Sequence, residues 1–296
     1  MFIIRNKKIF ITISVILVIV SIGLISIFGL RPGIDFKGGA LLQVAYEGAR
    51  PSVEEIQPHL VTAQIGEVFI QPYGEKEFIL KSRELTDIER TNLISAVSIN
   101  GNTATLVSFT SIGPSVGHEL TKKAVTSIIL VSLAIVLFIA YAFRKVSEPV
   151  ASWKYGLIAI GTLLHDVIIP TGVFAVISHI YGTEIDTLFV VAILTILGLS
   201  ISDTIVVFDR IRENLKNKKY NTFEEAVGQS INQTFTRSIN TSLTVIIVLL
   251  ALVFFGPSST RVFAMMLTAG MFFGTYSSIF LASPLLVLVA GDPKNK

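Results

Sequence analysis

Two carboxylates stand inside long apolar runs, Asp166 and Asp203. A charge near the centre of a bilayer costs at least ~2.5–3.5 kcal/mol on insertion scales, so an acid kept there points to ion or proton binding. Asp166 lies about 11 residues into its run, about 16 Å deep at 1.5 Å per residue, close to a midplane. Asp203 lies nearer one end of its own run. His165 precedes Asp166, and Pro170 stands four residues after it. A proline offers no N–H to the carbonyl four residues back, so the Asp166 carbonyl is expected to lose its helical partner. A free carbonyl beside a carboxylate suits a water or a cation; a kinked helix with Asp166 bonded to hydroxyls is the other reading. His165 is expected to pack or hydrogen-bond.

Ser200 falls on the helical face of Asp203, three residues before it, and Thr204 follows at once. Arg237, Asn240, Thr241 and Thr244 recur at i, i+3, i+4 and i+7 where the next apolar run begins. The spacing predicts that these two polar stripes pack together, with Asp203 near Arg237. Such a pair reads either as a static buried salt bridge or as a carboxylate that gains and loses a cation or proton. In the second case a nearby positive charge favours the ionised form and burial favours the neutral one.

The elements that must hold these residues are membrane spans. The chain has 296 residues, 51% hydrophobic and 15% charged, against about 25% charged in a soluble chain. Ile9 to Gly29 is almost unbroken apolar sequence, and about 20 such residues cross a bilayer. It is longer than a signal-peptide core of about 7–15 residues and no A-x-A-like site follows, so it is read as an uncleaved first span. Five further runs fall near 124–143, 155–179, 187–208, 238–256 and 262–290, the last long enough either to tilt or to bend at Pro284. The organisation predicted is an N-terminus and first span over 1–30, a water-soluble domain over 31–123, and five spans over 124–296, with connecting loops at 144–154 and 209–237. Segment 31–123 holds 20 of the chain's 45 charges.

Inside 31–123, Leu42, Val44 and Tyr46 alternate as in a half-buried strand. Ser52 to Ala63 and Thr86 to Ser98 read as helices, each opened by a capping box with Glu55 and Glu89. Val68 to Gln71 and Glu77 to Lys81 flank Pro72 to Glu75 as a hairpin, and Thr103 to Thr110 is a last strand. The order β-α-β-β-α-β is the ferredoxin-like arrangement. The expected fold is a polytopic α-helical membrane protein of six transmembrane helices with one small α+β extracytoplasmic domain between helices 1 and 2.

Arg5, Lys7, Lys8, Arg144, Lys145, Lys154, Arg210, Arg212, Lys216, Lys218, Lys219, Lys294 and Lys296 gather on one side, which predicts cytoplasmic termini. Asp209 to Lys219 reads as an amphipathic, charged segment, and Thr222 with Glu225 opens a further helix. Gly270 and Gly274 form a small-xxx-small pattern, followed by Ser277 and Ser278, which predicts close helix packing. The chain has no cysteine and four scattered histidines, so neither disulfides nor a metal cluster is expected. It carries no G-x-x-x-x-G-K-[ST], G-x-S-x-G or H-E-x-x-H, so no catalytic residue or cofactor is expected and the chain reads as a transporter subunit rather than an enzyme. No basic block with interleaved aromatics points to nucleic acid. Energy for transport must come from an ion gradient or from a partner's ATPase.

The strings Gly33-Ile34-Asp35-Phe36-Lys37-Gly38-Gly39 and Gly113-Pro114-Ser115-Val116-Gly117 resemble signatures of the SecD/SecF family, itself similar to half of an RND-type transporter. Ser202 to Asn214 and Thr236 to Ser242 resemble the fourth- and fifth-span motifs of its SecF branch. The likeness runs along essentially the whole chain. It implies pairing with SecD in the bacterial inner membrane and assistance to the SecYEG channel, the SecA ATPase and YajC in moving preproteins. It further implies an RND-type half bundle and use of an H+ or Na+ gradient, with Asp203, Arg237 and Asp166 in the ion pathway. The alternatives are a half-size RND-type exporter of small molecules or lipids, and a membrane scaffold whose Asp/Arg pair is structural.

Overall fold

The computed structural model describes residues 2–62, 65–144 and 150–290; Ala63, Lys294, Lys296 and, within the loop expected at 144–154, residues 145–149 with Lys145 lie outside them. The chain divides into two compact units, an α+β unit of Arg31–Val125 with Glu184–Thr187, and a helical unit formed by the rest.

The α+β unit contains α3 (Ile34–Lys37), β1 (Gly39–Tyr46), α4 (Val53–Thr62), β2 (Phe69–Tyr73), β3 (Glu77–Ser82), α5 (Asp87–Val97) and β4 (Ala104–Ile112). The strands lie in the order β2-β3-β1-β4, with every neighbouring pair antiparallel. Alternation in β1 puts Leu42, Val44 and Tyr46 into the core, where they meet Ile56 and Leu60 of α4 and Leu93 and Val97 of α5. Tyr46 donates to the Val97 carbonyl at 2.9 Å, and burial pushes its hydroxyl up to about 12. Pro72 and Tyr73 belong to β2, so the turn begins at Gly74 rather than at Pro72. A proline is tolerated there because β2 is an edge strand.

Both expected capping boxes form. The Glu55 amide donates to Ser52 Oγ at 3.3 Å and the Ser52 amide to Glu55 Oε2 at 3.0 Å; Thr86 and Glu89 repeat the exchange. The Arg83 guanidinium beside Glu89, helped by Thr86, holds the Glu89 carboxyl down at about 2.

The helical unit holds α1 (Phe2–Arg5), α2 (Lys7–Phe28), the body of α6 (Pro114–Ala142), α7 (Ser152–Tyr181), α8 (Thr187–Lys216, of which Thr187 belongs to the α+β unit), α9 (Phe223–Phe255), α10 (Ser258–Ser277) and α11 (Ser283–Ala290). Six helical segments among the described residues are long and apolar enough to cross a membrane. α7 and the α10–α11 segment are the most covered, with 56% and 61% of their most apolar windows buried, against 6% for α6. The core therefore sits around α7, α10 and α8.

Several elements outrun their apolar runs. α6 starts at Pro114, about ten residues before its run, and α8 and α9 extend through most of the loop expected at 209–237, leaving only residues 217–222 between them. Hydropathy marks the membrane-crossing part of a helix and not its ends. A π-helical turn at Ser278–Ala282 stands just ahead of Pro284. Pro284 removes the hydrogen bond that Phe280 would otherwise accept, and the wider π turn falls on that residue.

Helix α2 packs on α7 through small residues. A Cβ on Gly172 would lie 2.6 Å from Ser21 Cβ and 2.8 Å from its Cα, whereas one on Gly161 of the same helix meets nothing within 4 Å. Gly172→Leu is therefore expected to lower the thermal midpoint of the purified protein, and Gly161→Ala to leave it unchanged. A second expectation concerns acid. Glu89, held at about 2 against an ordinary value of 4.5, stabilises α5 fully above the ordinary value, and that contribution is lost as pH falls from there toward about 2. Amide exchange of residues 87–97 should accelerate across this window, and Glu89→Gln should flatten the added pH dependence.

Candidate functional site

Asp166 is wholly buried. Its Oδ1 lies 2.8 Å from His165 Nδ1, and its Oδ2 accepts from the Ser200 hydroxyl of α8 and from Ser277 Oγ of α10, the latter at 2.7 Å. Three partners from three helices thus surround one carboxylate. The glycines of α10 permit this convergence. A Cβ on Gly274 would stand 3.1 Å from Ser200 Cβ, and one on Gly270 would run into Ile196. α10 therefore lies against α8 closely enough for both hydroxyls to reach Asp166. The His165 ring faces the Tyr276 ring at 6.2 Å, and its Nε2 is buried with no partner among the described residues.

Asp203 is in a different condition. Ser238 of α9 donates to its Oδ1 at 2.5 Å, and the Ser278 side chain stands beside the carboxyl, while its Oδ2 is buried without a hydrogen-bond partner among the described residues. A ladder of hydroxyls continues around it. Thr204 Oγ1 lies 2.9 Å from Ser278 Oγ, and Ser242 Oγ lies 2.5 Å from Thr275 Oγ1. One carboxylate is saturated and the other has a vacant acceptor, in a structure where buried polar atoms are ordinarily paired.

Two sequence expectations are corrected here. Ser200 serves Asp166, not Asp203. The stripe of Arg237, Asn240, Thr241 and Thr244 does not pack on Asp203; all four are exposed, and the buried line of α9 is Thr234, Ser238 and Ser242. Arg237 makes no ion pair with Asp203 among the described residues. From 236 to 244 only Ile239 and Leu243 are apolar, so two polar stripes coexist, one step of about 100° apart, and periodicity could not choose between them. Ser238, Ser242, Thr275, Ser277 and Ser278 were missed as site residues. The i, i+4 spacing of Ser238 and Ser242 was the available signal, and the two serines after Gly274 were put down to packing alone.

The signature residues Gly33, Asp35, Phe36, Gly38 and Gly39 belong to the α+β unit. Gly38 and Gly39 have φ of 78° and 134°, and a Cβ on Gly39 would meet the Ser82 carbonyl oxygen at 2.6 Å. Glycine is required there by conformation and by space.

A family model described as "Protein export membrane protein SecD/SecF, C-terminal" matches residues 93–292, and one described as "SecD/SecF GG Motif" matches 23–49. The chain belongs to the SecD/SecF family. It is similar to the protein translocase subunit SecF of Thermobaculum terrenum, 42% identical over 96% of this chain and 92% of the relative. It is 36% identical to that of Anaerolinea thermophila over 99% of this chain and 96% of the relative. Among solved structures it resembles SecDF, a translocon-associated membrane protein from Thermus thermophilus, with TM-score 0.83 and 33% identity over 99% of this chain. The chain spans 38% of that longer protein. With six apolar helices and these relatives, the chain is a multi-pass helical membrane protein.

The saturation of Asp166 has a measurable side. Asp166→Leu strands His165 Nδ1 and the Ser200 hydroxyl, while Ser277 keeps the Gly274 carbonyl at 2.9 Å, and a buried polar group left unpaired costs about 1–3 kcal/mol. Asp203→Leu strands the Ser238 hydroxyl, while Ser278 keeps the Gly274 carbonyl. Thermal melting in detergent should therefore show the larger loss for Asp166→Leu, with Asp166→Asn in between because its amide oxygen still accepts.

Proposed function

We infer that the chain is the SecF-type subunit of a protein translocase, working with a SecD half in the bacterial inner membrane. The names of its relatives and its match to 38% of a SecDF chain, which leaves room there for such a half, support this reading. Its role is transport, driven by an H+ or Na+ gradient, with SecYEG, SecA and YajC as the surrounding machinery and preproteins as cargo. Both termini are cytoplasmic in this proposal, and the ferredoxin-like α+β unit lies outside.

The observation that carries the mechanism is the vacant Oδ2 of Asp203 beside the Ser238 hydroxyl. A carboxylate with one oxygen committed and one free can take up a proton or a cation and release it again. Occupancy there removes the negative charge to which Ser238 donates, and so loosens α8 from α9. Asp166, saturated by its own neighbours, anchors α7, α8 and α10 while Asp203 exchanges. His165, Ser200 and Thr204 support that anchor and its ladder.

The test is preprotein export into inverted membrane vesicles holding this chain and its SecD partner, with H+ and Na+ gradients collapsed separately. Asp203→Asn should assemble normally and lose the gradient-dependent stimulation; the gradient whose collapse reproduces the mutant identifies the ion. Full stimulation in Asp203→Asn would leave the buried acid a structural element of a scaffold.

A further inference from the structure

Among the described residues the family signature makes no contact with the carboxylate cluster, yet Asp35 within it makes two hydrogen bonds of its own. Asp35 lies in the single turn of α3. Its Oδ2 accepts from the Thr187 amide at 2.8 Å and from Thr187 Oγ1 at 2.6 Å. Thr187 is the first residue of α8, the helix that carries Ser200 and Asp203. A helix begins with amides that have no partner inside it, and a carboxylate oxygen is a preferred acceptor for them, favoured further by the helix dipole. Here the acceptor comes from a segment 152 residues away in sequence.

Neighbouring bonds hold the same junction. The Gly33 amide donates to the Ile185 carbonyl and the Ile185 amide to the Arg31 carbonyl, each at 2.8 Å. Lys81 of β3 pairs with Glu184 at 3.1 Å. A Cβ on Gly33 would stand 3.0 Å from the Ile185 oxygen, and one on Gly38 would stand 2.9 Å from Pro114 N and Cα. The segment leaving α2, the start of α6 and the start of α8 are thus gathered at one heptapeptide. α8 is unbroken from Thr187 to Lys216, so Asp203 stands 16 residues (203 − 187) farther along one rod, about 24 Å at 1.5 Å per residue.

We propose that Asp35 is a positioning residue of the transport reaction: it clasps the first turn of α8, so that a displacement of α8 driven by ion exchange at Asp203 is delivered to the α+β unit through this carboxylate. The proposal rests on Asp203 being the exchanging group. In this arrangement the glycines of the signature create the room, and Asp35 makes the connection. The bonds at Ile185 and Glu184 hold the segment before α8, and Asp35 alone among these contacts reaches the helix itself, at Thr187.

The experiment uses the full chain with its SecD partner in vesicles and compares wild type, Asp35→Ala, Asp35→Asn, Thr187→Val and Asp203→Asn. It reads gradient stimulation of export and amide exchange across the first turn of α8. Asp35→Ala should cut the stimulation at least about fivefold, the lower end of ordinary coupling between sites, and speed exchange at residues 187–190 while leaving 200–208 as in wild type. Asp35→Asn should keep most of both, since its amide oxygen still accepts. Thr187→Val loses the hydroxyl bond only and should fall between them, which keeps the comparison usable if Asp35→Ala accumulates poorly. Wild-type stimulation in Asp35→Ala despite faster exchange would overturn the proposal, as would an Asp35→Asn that retains protection but loses stimulation. Loss in Asp35→Ala together with full stimulation in Asp203→Asn would overturn the relay at Asp203 instead.

Discussion

A carboxylate buried in a membrane bundle has to be satisfied by the bundle itself. Asp166 meets that requirement by taking a ring nitrogen from its own helix and hydroxyls from α8 and α10. Those bonds fix which faces of the three helices meet, and the fixed faces dictate much else. Gly270 and Gly274 must be small because α10 has to lie against α8. Ser278 then comes within reach of Thr204, and Thr275 within reach of Ser242 of α9. The π turn at Ser278–Ala282 begins where this polar line ends. In lipid there is no water to repair a missed bond, so one acid imposes order on four helices.

The two acids differ in how their oxygens are met. Asp166 has a partner for each oxygen. Asp203 has Ser238 on one oxygen and no hydrogen-bond partner among the described residues on the other, at the seam between α8 and α9. The two are joined through α8, on which Ser200 answers to Asp166 and Asp203 to Ser238.

Legibility in the sequence varied with the kind of interaction. Strand alternation in Leu42, Val44 and Tyr46 and the capping boxes at Ser52 and Thr86 are local, and the structure has them where the residues put them. The membrane helices were legible as apolar runs, but their ends were not, because α8 and α9 continue into water on charged residues that hydropathy reads as loop. Asp166 and Asp203 stood out by their cost alone. Their partners did not, since choosing Ser238 over Arg237, or sending Ser200 to Asp166, depends on helix rotation within a polar segment that offers two equivalent stripes. The role of Asp35 was beyond reach for a further reason: its partner Thr187 is 152 residues away and nothing local marks the pair.

The outward stripe of α9 bears on assembly. Arg237, Asn240, Thr241 and Thr244 lie uncovered by this chain, at a level where the apolar stretch of the helix begins. Facing lipid, they carry a standing penalty that a second subunit would relieve. A copy of this chain standing alone in lipid would keep that penalty in full, so the stripe favours company over solitude.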